Sequence, residues 1–269
     1  MPGHDGCVVF ALANQKGGVG KTTTAINLGA ELATRGVPVL LIDLDPQANS
    51  TAALGLSGHG GPTTYDVLID QQPMSEAIID TVQAGLSIVP SGPDLAGAEV
   101  ELVPAMAREQ RLLRAIEGVA DRFAVIIVDS PPSLGLLTLN GLTAADEVLV
   151  PVQCEYLALE GLSQLTNTLE AVRSNLNPRL HLGGLLLTMF DARTNLCQQV
   201  AQEVRSHFEE TFDTVIPRSV RLSEAPSHGL PIGMYDGRSS AAKAYGALAD
   251  EVIEKFVPAF KTKGAEAKR

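Results

Sequence analysis

No tryptophan occurs in the 269 residues, and the only three cysteines are Cys7, Cys154 and Cys197, with no Cys-x-x-Cys pair among them. An odd, scattered set excludes a disulfide framework, a zinc ribbon and an iron-sulfur run, and favours the reducing cytosol. Long apolar runs are absent too. No stretch of about 18 apolar residues occurs, and the short one from Cys7 to Ala13 has no basic flank, so neither secretion nor membrane spanning is expected. Basic residues are scarce in the first part: residues 1–189 hold 9 Lys/Arg against 20 Asp/Glu, whereas residues 190–269 hold 11 of each. The net charge of -11 argues against a globally basic nucleic-acid binder and leaves room for a local positive face in the C-terminal third. With 45% hydrophobic residues the chain can build a large core, and disorder is excluded as its main state.

Short β-branched or aliphatic runs alternate with longer segments of helical period. Val8 to Leu12, Val39 to Ile42, Leu86 to Val89, Phe123 to Val128, Glu147 to Val152 and Leu182 to Leu187 read as buried strands. Thr22 to Thr34, Pro104 to Val119, Leu159 to Leu176 and Leu196 to Phe212 read as helices, and the glycines between Gly55 and Pro62 mark a loop. The alternation predicts an α/β fold: a doubly wound, mostly parallel sheet flanked by helices. One domain is expected over residues 1–257. Pro258 should end the last helix, leaving residues 258–269 as a flexible tail.

The segment Lys16-Gly17-Gly18-Val19-Gly20-Lys21-Thr22-Thr23 falls directly between the first strand and the first helix. Glycines there let backbone N–H groups turn toward phosphate oxygens, and the helix N-terminus adds positive potential. Lys21 can reach β/γ-phosphates and the Thr22 hydroxyl can ligate Mg²⁺, which together predict a P-loop for ATP and Mg²⁺. The common pattern asks for glycine at position 15, where this chain has Gln15, followed by a second lysine, Lys16. Asp43 and Asp45 follow a buried strand at the sheet edge that opens toward ligand in such folds, and Asp129 ends the apolar run Val125 to Val128. A carboxylate at position 129 can hold a magnesium-bound water, while Ser130-Pro131-Pro132 makes a stiff turn able to sense a γ-phosphate.

The run Ala13 to Thr24 resembles the deviant Walker A motif of the ParA/Soj partition ATPases, a group that also includes MinD and the nitrogenase iron protein. Asp43-Leu44-Asp45-Pro46-Gln47, Val125 to Pro132, Pro151 to Tyr156 with Leu159-Glu160-Gly161, Thr188 to Thr194, and Pro217 to Ser227 resemble later blocks of the same family, in order. The resemblance covers roughly residues 7–256. It implies that Asp45 positions the attacking water and Asp43 supports the site. It also implies that Lys16 reaches the partner's ATP across a nucleotide-sandwich homodimer. Met189 and Pro217 stand where related folds place adenine contacts. Arg193, Arg218 and Arg221 correspond approximately to the family's DNA-contact regions, where guanidinium groups hold backbone phosphates without reading bases.

The implied activity is ATP hydrolysis. An ATP-driven dimer would bind nonspecific double-stranded DNA and be released when a ParB-like centromere-binding protein stimulates turnover, in the cytoplasm and on the nucleoid. The alternative is a MinD-like positioning ATPase acting on a membrane or a protein cargo, which would need a free amphipathic C-terminal segment. Tyr245, Leu248, Val252, Ile253 and Phe256 do form a helical stripe, which a core-packing helix explains better. An electron-transfer role would need paired cluster cysteines, and Cys154 has no suitable partner. A ligase or an anion pump on the same fold is a further reading, although pumps often carry two P-loops and this chain has one.

Overall fold

Along the first strand, Val9 and Ala11 pack into one apolar cluster while Phe10 and Leu12 pack into another. Successive side chains on a strand point to opposite faces, so a continuous apolar run is what a sheet covered on both sides requires. The computed structural model describes residues 6–155 and 158–260 and has this form. Its eight strands are β1 (Val8–Leu12), β2 (Val39–Asp43), β3 (Ile79–Asp80), β4 (Leu86–Val89), β5 (Val125–Asp129), β6 (Glu147–Gln153), β7 (His181–Phe190) and β8 (Thr211–Pro217). They lie in the order β3-β4-β2-β5-β1-β6-β7-β8, and every pairing is parallel except that of the two-residue edge strand β3 with β4. The helix Lys21–Thr34 and the long helix Ser240–Phe256 cover one face. Leu95–Glu101, Arg111–Glu117, Leu136–Ala144, Ala158–Asn175 and Asn195–His207 lie on the other.

Two helices differ from the sequence expectation. The helix expected from Pro104 starts at Arg111, because Ala107 adopts φ 51° and Met106 is 89% exposed, so that stretch has no apolar face to bury. The helix expected to reach Phe212 stops at His207. Phe208 turns extended, and Thr211–Pro217 becomes β8, burying Phe212 and Ile216. Beyond residue 257, Pro258–Phe260 forms a 3-10 turn with Phe260 packed against the core. Tyr156, the side chains of Leu159 and Glu160, and residues 261–269 of the expected tail lie outside the described residues.

Candidate nucleotide site

Parallel pairing brings the C-terminal ends of β1, β2, β5, β6 and β7 to one edge of the sheet, the edge where ligands bind in open α/β sheets. The loop Ala13 to Gly20 leaves β1 there and enters the helix Lys21–Thr34. Gly18 and Gly20 have φ of 73° and 95°, a region where a side chain would be strained, so these two positions require glycine. No residue of the helix itself is acidic in its first turn, so nothing on the helix offsets its positive end. Val19 is buried and its carbonyl accepts the Thr188 hydroxyl (2.9 Å), which ties the loop to β7. Asn14 donates to the Pro151 carbonyl (2.8 Å) and ties it to β6.

Lys21 is buried and donates from Nζ to the carbonyls of Asn14 (3.0 Å) and Lys16 (3.3 Å), which aims the ammonium across the loop. Burial pulls its pKa below 10.5, opposed by the Asp129 and Asp45 carboxylates. A cavity of about 300 Å³ opens beside it. Its lining joins Gly17, Gly18, Gly20, Lys21, Thr22 and Thr23 to Asp45 and Met189, and adds Gln47, Asn49 and Pro132. A second cavity of about 190 Å³ adjoins it through Gly20, Thr23 and Met189, and carries Pro217 and Arg218.

The three aspartates are differently held. Asp43 is fully buried: Oδ2 accepts from the Thr51 N–H (2.9 Å) and hydroxyl (2.7 Å), and Oδ1 from the Asp45 N–H (3.3 Å). Burial, then the neighbouring Asp129 charge, pushes its pKa up to about 7. Asp45 is buried but lines the cavity, with Oδ1 accepting from the Gln47 N–H (2.9 Å). Asp129 has Oδ2 on the Ser50 hydroxyl (2.8 Å), whereas Oδ1 is buried with no hydrogen-bond partner among the described residues. Burial pushes its pKa up to about 6; the Ser50 and Thr22 hydroxyls and Lys21 favour its charged form, with Thr22 short of hydrogen-bond geometry at Oδ1. An orphaned buried carboxylate oxygen is costly, and a cation or its water shell is the usual remedy. Asp129 and Thr22 therefore fit Mg²⁺, which takes few protein ligands and leaves other positions to phosphates and water.

Lys16 is at the rim, half-exposed, with Nζ 2.8 Å from Glu155 Oε2. The sequence gives no local sign of this partner, which is 139 residues away. Ala48 and Met189, both with φ 51°, hold the left-handed conformation without being glycine, a strain that concentrates at functional sites. Gln47 and Asn49 were readable only as neighbours of Asp45. Phe190 on β7 is level with Pro217 on β8, and the Arg218 N–H donates to the Phe190 carbonyl (3.1 Å), so Arg193 and Arg218 leave adjacent strand ends. Arg193 grips Asp191 through two bonds (2.9 and 2.8 Å). Arg221 pairs with Glu224 (2.9 Å) and Asp236 (3.6 Å). Arg218 is exposed and has no ion pair among the described residues.

Residues 7–182 match the family described as an AAA domain. The sporulation initiation inhibitor protein Soj of Bacillus subtilis is 55% identical over 246 residues, 91% of this chain and 97% of Soj. The chromosome partitioning protein ParA of Myxococcus xanthus is 50% identical, covering 93% and 89% of the two chains. The chain belongs to the ParA/Soj family of partition ATPases. As a ParA/Soj member it keeps the fold of its wider group. Cobyrinic acid a,c-diamide synthase of Mycobacterium smegmatis, solved with ADP and magnesium, aligns with TM-score 0.81 and 40% identity over 92% of this chain and 94% of that one. The cell division ATPase MinD of Pyrococcus furiosus aligns with TM-score 0.77 and 26% identity, over 92% and 98%. No helix among the described residues of this ParA/Soj chain is long and apolar enough to cross a membrane.

Proposed function

We propose that this chain is an ATP-dependent DNA-partitioning ATPase that works as a nucleotide-bridged homodimer. The observation that carries this reading is the cavity in which Gly17, Gly18, Gly20, Lys21, Thr22 and Thr23 meet Asp45, with the orphaned Asp129 carboxylate acting on Thr22 and Lys21 of the same loop. The loop N–H groups and the Lys21 ammonium bind and orient the β/γ-phosphates, fixing the γ-phosphorus for in-line attack. Asp45, at the cavity wall and held by Gln47, orients the attacking water. Asp43, wholly occupied by Thr51 and Asp45, braces the turn that carries Asp45. Thr22 and Asp129 would hold Mg²⁺, which when bound neutralises the phosphate oxygens as charge shifts to the leaving group. Met189 and Pro217 flank the side cavity, where a purine can lie.

Lys16 leaves Glu155 and reaches the phosphates of the partner subunit, acting in trans as an arginine finger does. The dimer presents two copies of Arg193, Arg218 and Arg221 to nonspecific double-stranded DNA, and a ParB-like protein triggers hydrolysis and release. This cycle belongs to the cytoplasm and the nucleoid. The membrane-cycling alternative loses its C-terminal stripe, since Tyr245, Leu248, Val252 and Ile253 are buried in the core. The test is ATP turnover with and without unrelated duplex DNA and a ParB-type protein from the same genome. Turnover should rise most with both present. Turnover indifferent to either would remove the partition role.

A further inference from the structure

On the helix Arg111–Glu117, Arg111 and Arg114 border a cavity of about 290 Å³ that shares no lining residue with the cavity at the P-loop. Gln71, Gln72 and Ser75 supply its other polar groups, Val67 and Met74 are among its apolar ones, and no carboxylate lines it. Arg111 Nη1 is buried without a hydrogen-bond partner among the described residues, and no described residue forms an ion pair with either arginine. Among the described residues the sole side-chain bond from Arg114 is a long one of 3.4 Å to Gln110. Buried guanidinium donors are normally satisfied, so Arg111 keeps unmatched hydrogen-bonding capacity, and it and Arg114 bring to the cleft wall a positive charge that no lining carboxylate neutralises.

We propose that this cleft binds a phosphate monoester, its phosphate between Arg111 and Arg114 and its organic part against Val67 and Met74. Charge sets the class. Two guanidinium groups match a group that carries close to two negative charges at neutral pH, whereas one carboxylate leaves a charge uncompensated. Guanidinium forks also fit the geometry of phosphate oxygens. The apolar side of the cleft distinguishes an ester from the free ion. A small phosphorylated metabolite and a phosphorylated serine side chain share this chemistry.

The experiment follows methionine methyl signals in protein saturated with Mg-ADP, which keeps the P-loop filled. Met74 reports the cleft and Met189 the nucleotide cavity. Glycerol 3-phosphate, a phosphoserine peptide, inorganic phosphate and sodium chloride at matched ionic strength are titrated in parallel. The two esters should move the Met74 signal saturably and leave Met189 still, with the tighter of the two naming the source. Inorganic phosphate should bind more weakly. Arg114→Gln, at an exposed position that does not threaten the fold, should weaken binding at least tenfold, and Arg111→Gln should abolish saturation. The proposal fails if Met74 is silent, if chloride moves it equally, if inorganic phosphate binds as tightly as the esters, or if Arg114→Gln titrates like the parent.

Discussion

The three arginines assigned to DNA are not equivalent in the structure, and salt dependence can separate them. If all three in both protomers replaced counterions, the dimer would make about six phosphate contacts and log K against log[salt] would have a slope of about -5. Affinity would then fall roughly 10³-fold between 50 and 200 mM salt. Arg193 and Arg221 already hold carboxylates, at 2.8 and 2.9 Å, and those carboxylates stay beside any phosphate that displaces them. Arg218 feels the Asp191 carboxylate but forms no ion pair among the described residues, so it brings more of its charge to a phosphate. Two copies of Arg218 alone would give a slope of about -2 and a loss of roughly tenfold over the same range. The parent slope should therefore lie between these limits, and Arg218→Ala should remove about two from it, more than Arg193→Ala or Arg221→Ala. The assay is retention of an unrelated duplex with ATP across a salt series, for the parent and each single variant. Equal losses for the three variants, or an unchanged slope in Arg218→Ala, would refute the reasoning.

Lys21→Ala should abolish ATP binding, while Asp45→Ala should bind ATP normally and lose turnover; equilibrium binding of a fluorescent ATP analogue and single-turnover hydrolysis check both. Lys16→Ala should bind ATP yet fail to dimerise in sedimentation, whereas Glu155→Gln frees Lys16 and should tighten the ATP dimer, by about fivefold at most because half-exposed ion pairs are weak. Asp43 and Asp129 titrate near 7 and 6 in the fold against 3.8 ordinarily, so between about pH 4 and 7 the folded chain holds protons that the unfolded chain has released. Their contribution to stability therefore falls as pH rises through that window. Asp43→Asn removes one of the two like charges, so urea unfolding without Mg²⁺ should show a smaller drop in stability from about pH 5 to pH 7.5 than in the parent.

Much of the sheet and most of the P-loop were legible because their signals are local. A fully buried parallel strand must be apolar throughout, and a phosphate loop must have glycine where φ is positive, as at Gly18 and Gly20. β8 was not legible: only Phe212 and Ile216 of Thr211–Pro217 are buried, too sparse a pattern to separate from the preceding helix. The two-residue β3 is shorter than any periodic signal. The Pro104 stretch carried helix-forming residues, yet helices in proteins owe most of their stability to burying a face, and Met106 finds nothing to bury against. In the site, Asp45 and Asp129 could be picked out as strand-end carboxylates. Ser50 on Asp129, Thr51 on Asp43 and Glu155 on Lys16 are products of tertiary approach that no spacing announces.

Asp43 is opposite Asp129 across β2 and β5, and Leu12 is opposite Asp129 across β1 and β5. Three strands are thus aligned to a single residue at the point where the P-loop begins. Side-chain direction alternates along a strand, so one residue inserted between Val39 and Asp43 would turn Asp43 from one layer of helices toward the other. The apolar residues of β2 would exchange layers as well, but each would still meet a hydrophobic neighbour, because both faces are covered. The sheet can therefore absorb a frame error that the chemistry cannot. Length variants of this chain should be tolerated in the loops at the opposite ends of these strands, such as around Gly36, and selected against within the strands for loss of turnover before loss of folding.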